Sequence, residues 1–171
     1  MPRNRSRVKG AFRAVAAAVV LTAPLPLLAA RLVNHPAPPF ARSDLNGSRI
    51  TLSAYRGKVI LLNFWATWCA SCRVEMPRFV GWQTRYGPRG LQIVAVSMDD
   101  DVDPVRTFLR GVQPNYPVLM GDAKLGELYG GVLGLPVTFL IDRTGIIRAR
   151  FEGETDLRAI ETRLCALLQS Q

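Results

Sequence analysis

Residues 40–171 predict an α/β domain, a central mixed β-sheet with helices on both faces. Three observations carry this. The apolar-rich runs Val59–Trp65 and Leu91–Ser97 flank a stretch of helical composition, as buried parallel strands flank a crossover helix. The runs Val137–Ile141 and 146–151 surround the turn residues Asp142, Arg143, Thr144 and Gly145 and read as an antiparallel hairpin. Between 155 and 169, Leu157, Ile160, Leu164, Leu167 and Leu168 form one apolar stripe of a closing helix.

The other elements follow in chain order. Asp44 to Gly47 is turn chemistry and 49–52 alternates polar with apolar residues, which gives an N-terminal β-hairpin. Ala70–Tyr86 reads as a helix that Pro77 should bend. A helix over 103–110 is expected to be capped by Asp103, with Pro104 at its first position. A short strand within 116–120 and a short helix over 124–129, ended by Gly130 and Gly131, come next, and a central insertion is expected in the fold.

A chain of 171 residues, 49% hydrophobic and 20% charged, suits one globular domain. Its net charge of +9 is concentrated: residues 1–31 hold six basic residues and no acid, which leaves 16 basic against 13 acidic residues in the rest. That remainder is interspersed, so no nucleic-acid footprint is expected. Residues 1–31 have the layout of an N-terminal signal or membrane anchor, basic to Arg13 and then apolar over 14–30 apart from Thr22, Pro24 and Pro26. Cleavage after Ala30 would put Leu28 where a small residue is wanted, which favours a retained anchor over a secreted, cleaved form. Against retention, the apolar run is short and carries two prolines; a third possibility is an internal core helix. With its basic end inside, the anchor would place residues 32–171 on the extracytoplasmic, periplasmic side. Residues 32–39, with Pro36, Pro38 and Pro39, are expected to be a semi-rigid spacer before the domain at 40–171.

The chemistry lies at Cys69 and Cys72, where a buried strand gives way to a helix. Free N–H groups and the helix dipole favour an anion there, so the Cys69 thiol should ionise more readily than a free cysteine with its pKa of about 8.5. Cys72, one turn further in, could resolve a mixed disulfide formed by Cys69. A zinc site would want four ligands, and only Cys165 and His35 remain, both distant in sequence. Haem attachment wants His after the second cysteine, and Arg73 stands there. A purely structural disulfide closing so small a loop would contribute little cross-linking entropy. No metal or other cofactor is expected. Cys165 reads as a buried small hydrophobe in the last helix.

The stretch KVILLNFWATWCASCRVEMP, residues 58–77, resembles the active-site region of the TlpA/ResA-like thiol-disulfide oxidoreductases. DLNGSRITLSAYRGK at 44–58 and GLPVTFLIDRTGIIRARFEG at 134–153 are similar to the same family in the same order. The resemblance implies a thioredoxin-like fold and a redox-active Cys69–Cys72 disulfide. It matches Pro136, preceded by Leu135, to a cis-proline whose neighbouring backbone pairs with substrate, and Trp68 to an aromatic flank of the site; Trp65 could equally be core. It matches Glu75, expected in an exposed first turn on the Cys72 face, to a glutamate that influences cysteine protonation. Asn63 stands where cytoplasmic thioredoxins carry a buried aspartate, and Ser71 where many relatives carry proline, so the reduction potential does not carry over.

The function so implied is a dithiol reductant of exported disulfide-containing proteins, re-reduced by a membrane thiol electron donor. Cytochrome c apoprotein or copper-site cysteines are the substrates the family suggests, although Val137 replaces a glutamate common in the cytochrome branch. Two alternatives stay open. A peroxide-reducing redoxin would want T-x-x-C, whereas Thr67 is one residue too close to Cys69. A copper-binding chaperone would use both thiols as soft ligands, with no histidine nearby to help.

Overall fold

Strand β3 (Val59–Trp65) is buried at all seven positions and forms the centre of a five-stranded sheet. The computed structural model describes residues 32–170; the leader and its expected anchor lie outside them. An N-terminal two-stranded hairpin pairs β1 (Ala41–Ser43) with β2 (Arg49–Thr51), and the turn between them is closed by the Asp44 carboxylate, which accepts from the N–H groups of Asn46 and Ser48. After β3 come α1 (Ala70–Tyr86), β4 (Leu91–Ser97), α2 (Val102–Val112), β5 (Val118–Met120) and α3 (Ala123–Leu128). The hairpin β6 (Val137–Ile141) and β7 (Ile147–Glu152) and the helix α4 (Leu157–Gln169) complete the chain. The sheet order is β5-β4-β3-β6-β7, with β3, β4 and β5 parallel and β6 and β7 antiparallel to their neighbours. This is the thioredoxin-like arrangement expected, with β5 and α3 lying between α2 and the closing hairpin.

Side-chain alternation along β3 splits the core in two. Val59, Leu61 and Trp65 face α1, α2 and α4 and pack with Met76, Phe79, Val105, Ile160 and Leu164. Ile60, Leu62 and Phe64 face the hairpin and α3 and pack with Ile50, Leu52, Leu125, Tyr129 and Phe139. On that second face Phe64, Tyr129 and Phe139 contact one another at ring-centroid distances of 5.3 to 6.1 Å. Asn63 is a buried amide satisfied by the strand beside it: its Nδ2 donates to Thr138 Oγ1 at 3.0 Å, across the register pair Asn63↔Thr138.

Three expectations need correction. Helix α2 starts at Val102 with Asp101 in the extended cap position, so Asp103 and Pro104 lie inside the first turn. A proline is accommodated there because the first-turn N–H groups have no intrahelical partner to lose. Cys165 is half-buried at the edge of the core, since Leu164 and Leu168 take the inward positions of α4. Residues 32–39, expected as a spacer, are laid along the domain: Asn34 N–H donates to Ile147 C=O, Ala37 N–H to Gly145 C=O, and Tyr129 Oη to Pro38 C=O. Leu32, Val33 and Ala37 pack on the second core face, and that burial holds the segment down.

Phe139→Ala should remove a fully buried ring from the triad and destabilise the domain by about 3 to 5 kcal/mol, read from the urea midpoint. A loss below about 1 kcal/mol would show that the aromatic face can collapse around the gap.

Candidate functional site

The pairings of β3 decide what meets at one end of the sheet. Trp65 is in register with Ser97 of β4, and Phe64 with Val137 of β6. The loop after β3, the run after β4 and the segment before β6 therefore emerge together. The first carries Trp68 and Cys69, the second Asp99 and the third Leu135 and Pro136.

Cys69 is the N-cap of α1, in extended conformation at φ −86° and ψ 110°. Its Sγ accepts from the backbone N–H of Cys72 at 3.3 Å, so a sulfur fills the position that an oxygen takes at most helix starts. Ser71 Oγ is 3.5 Å from the same sulfur. Cys69 and Cys72 form a disulfide, with Cα atoms 5.3 Å apart. Cys69 is 7% exposed and Cys72 1%, so the first cysteine is the more accessible residue. Trp68 is 70% exposed beside them, whereas Trp65 is fully buried and packs on Phe108 of α2.

The Leu135–Pro136 peptide bond is cis. Pro136 is buried and its carbonyl accepts from Gly153 N–H at 2.8 Å, while Leu135 packs on the core cluster that contains Cys69 and Cys72. Among the described residues, the Leu135 N–H and C=O have no backbone partner.

Glu75 lies differently from its expected place. It stands in the second turn of α1 and is only 4% exposed. The cause is helix geometry: residues 72, 75, 76 and 79 share the face that packs on the sheet. Burial pushes its carboxyl up to about 7, and Oε2 has no hydrogen-bond partner among the described residues. Asn63, tied to Thr138, is committed to the sheet.

One anchor escaped the sequence reading. Asp99 is buried, and its carboxylate accepts from Thr67 N–H at 3.0 Å, from Thr67 Oγ1 at 2.6 Å and from Ser97 Oγ at 2.7 Å. It ties the loop before Cys69 to the end of β4. Nothing in the run Asp99-Asp100-Asp101 distinguishes its first member, and only the sheet register brings Thr67 to it.

The family model of the AhpC/TSA family matches residues 33–150. The thiol-disulfide oxidoreductase ResA of Bacillus thuringiensis subsp. konkukian is 34% identical over 131 residues, 75% of each chain. ResA of Bacillus subtilis is 38% identical over 110 residues, 64% of this chain and 61% of that one. The chain belongs to the AhpC/TSA family, as a TlpA/ResA-like thiol-disulfide oxidoreductase. A solved thiol:disulfide interchange protein of the thioredoxin family from Chlorobium tepidum TLS superposes with a TM-score of 0.72 at 28% identity, covering 78% of this chain and 95% of its own. This TlpA/ResA-like enzyme thus has its cysteine pair at the start of a helix on a thioredoxin-like sheet.

The raised carboxyl of Glu75 makes stability depend on pH. The folded, oxidised enzyme keeps the Glu75 proton to about pH 7, whereas the unfolded chain releases it near 4.5. The native state holds more proton in that window, so stability should fall as pH rises from about 4.5 to 7, by at most about 1.4 kcal/mol per pH unit for one proton. Glu75→Gln should flatten that slope in urea midpoints measured across the window. Parallel profiles for the two proteins would show that the carboxyl does not titrate there.

Proposed function

We propose that this oxidoreductase works outside the cytoplasm as a dithiol reductant of exported proteins, with Cys69 attacking and Cys72 resolving. The observation that carries the roles is the cap: Cys69 Sγ lies where the open N–H groups of α1 point, and Cys72 is buried one turn below. In the reduced enzyme a Cys69 thiolate there is favoured by the helix end.

It attacks one sulfur of a substrate disulfide; that S–S bond breaks and the second substrate sulfur leaves as a thiolate. Cys72, giving up its proton, then attacks Cys69 Sγ, which forms the Cys69–Cys72 bond and releases the first substrate sulfur. Two electrons pass to the substrate in total; the proton given up by Cys72 and one from solvent, equivalent to the one Cys69 lost on ionising, leave both substrate sulfurs as thiols, and a membrane thiol donor returns the enzyme to its dithiol form. The open backbone groups of Leu135 suit pairing with an extended substrate strand, and exposed Trp68 offers it an aromatic flank. Glu75, buried on the Cys72 face, takes or holds a proton near neutral pH, a service Asn63 cannot perform.

Support for the compartment comes from the basic-then-apolar layout of residues 1–31, read as an anchor over 14–30. Cytochrome c apoprotein and copper-site cysteines are the substrates we put first. The peroxide-reducing alternative is disfavoured by Thr67, whose hydroxyl is engaged by Asp99. For the copper alternative, the pair lacks an imidazole: the chain's one histidine, His35, bonds Val33 C=O in the segment that runs beside Ile147.

Cys72→Ser in cells should accumulate a mixed disulfide that vanishes on reduction and is absent in the Cys69→Ser/Cys72→Ser double variant; identifying the trapped protein names the substrate. Trapping by Cys69→Ser but not by Cys72→Ser would reverse the roles. Peroxide consumption, or a tight one-to-one Cu(I) complex, without disulfide reduction would favour the redoxin or the chaperone.

A further inference from the structure

The end of the sheet opposite the cysteines is basic. Residues 55–58 lead into β3, 87–90 lead into the parallel β4, and 142–146 join the antiparallel β6 and β7, so all three segments sit at that end. Backbone contacts tie them together: Gly57 N–H donates to Arg143 C=O at 3.0 Å, and Val59 N–H to Gly90 C=O at 2.9 Å. Together with Arg148 at the start of β7 they carry Arg56, Lys58, Arg89 and Arg143 against a single acid, Asp142. Asp142 is paired with Arg148 at 2.6 Å. The other four cations have no carboxylate partner among the described residues. Arg143 is held by the carbonyls of Gly57 and Leu168, whereas Arg56, Lys58 and Arg89 are exposed.

Two independent features show what this end faces. The first is where the chain enters the domain. Asn34 N–H donates to Ile147 C=O, Ile147 N–H donates to His35 C=O, and Pro36 bridges Ile146, so residues 34–36 are fastened at the basic end. Only Arg31 lies between Leu32 and the apolar run 14–30. Because residues 32–39 are laid along the domain, an anchored leader leaves this end next to the bilayer. The second feature is an apolar recess of about 190 Å³ in the same surface, lined by Ala37, Leu52, Tyr55, Ile60 and Ile146, with Arg56 in its wall. Cations beside an apolar recess match the layered chemistry of a lipid surface, anionic headgroups over acyl chains.

We propose that this basic end seats on the anionic phospholipid surface into which the leader inserts, and so holds the cysteines away from the membrane. This rests on the anchored, extracytoplasmic reading above and adds a lipid contact and an orientation to it. An apolar segment and a basic patch on the same side act as two membrane signals, and the second restricts how the domain tilts. A strand rises about 3.3 Å per residue, so the seven residues of β3 set Cys69 roughly 20 Å above the seated end. That exceeds the screening length of about 8 Å at physiological salt, so the disulfide meets exported proteins beyond the field of the lipid.

Two exposed lysines report the seating: Lys58 at the basic end, and Lys124 in α3, which follows the cysteine-side end of β5. The test uses the oxidised full chain in vesicles of phosphatidylcholine alone or mixed with phosphatidylglycerol, pulsed briefly with acetic anhydride and read by mass spectrometry. Anionic lipid should slow acetylation of Lys58 relative to Lys124 about fivefold or more, and the difference should vanish near 1 M salt, where the screening length is about 3 Å. R56Q/R89Q should remove most of that protection while leaving reduction of 2-hydroxyethyl disulfide unchanged. The same Lys58 to Lys124 ratio in both vesicles would overturn the proposal and leave this end to a protein partner or to solvent, with anchorage intact. Protection of Lys124 instead, or protection of Lys58 that survives both salt and R56Q/R89Q, would overturn it as well. Failure of the full chain to float with either vesicle after an alkaline wash would overturn the anchored reading, and this proposal with it.

Discussion

Helix α1 begins at a sulfur. Most helices open on an oxygen that accepts from an early N–H group; here Cys69 Sγ accepts from Cys72 N–H, so the capping atom is one of the two disulfide sulfurs. The rest of the domain is arranged to hold that atom in place. β3 is buried along its whole length, which fixes where the chain leaves the sheet; Met98 N–H donates to Trp65 C=O and Asp99 holds Thr67, which fixes the turn. α1 is then pinned by Met76, Phe79 and Trp82 against the sheet. Releasing any of these would loosen the geometry in which one cysteine is presented and the other kept back.

Two opposing influences meet at the pair. The helix end favours a thiolate at Cys69, whereas the carboxylate of Glu75, once ionised near pH 7, would oppose a second negative charge on the same helix. Burial of Glu75 reduces that conflict below neutrality by keeping the group protonated. The cost is a buried carboxyl oxygen with no hydrogen-bond partner among the described residues.

Much of this was legible in the residues. The fold could be read because burial and period coincide: Val59–Trp65 is apolar enough to be central, and α4 carries its stripe at the right spacing. The cysteine pair could be read because its position between strand and helix supplies its chemistry. What escaped depends on contacts between distant residues. The spacing puts Glu75 on the Cys72 face, but that face is buried instead of exposed, and a single helix does not reveal its neighbour. Asp99 looks like any member of an acidic run until β4 is set in register with β3. Residues 32–39 have the composition of a spacer, yet Tyr129 and Ile147 give them partners that no local rule contains.

The asymmetry of the two sulfurs can be read directly. Reduced enzyme treated with less than one equivalent of iodoacetamide at neutral pH, then digested and analysed by mass spectrometry, shows which thiol reacts first. If the helix start presents Cys69 and buries Cys72, the label falls predominantly on Cys69. A label shared evenly, or found mainly on Cys72, would contradict the role of the capping sulfur.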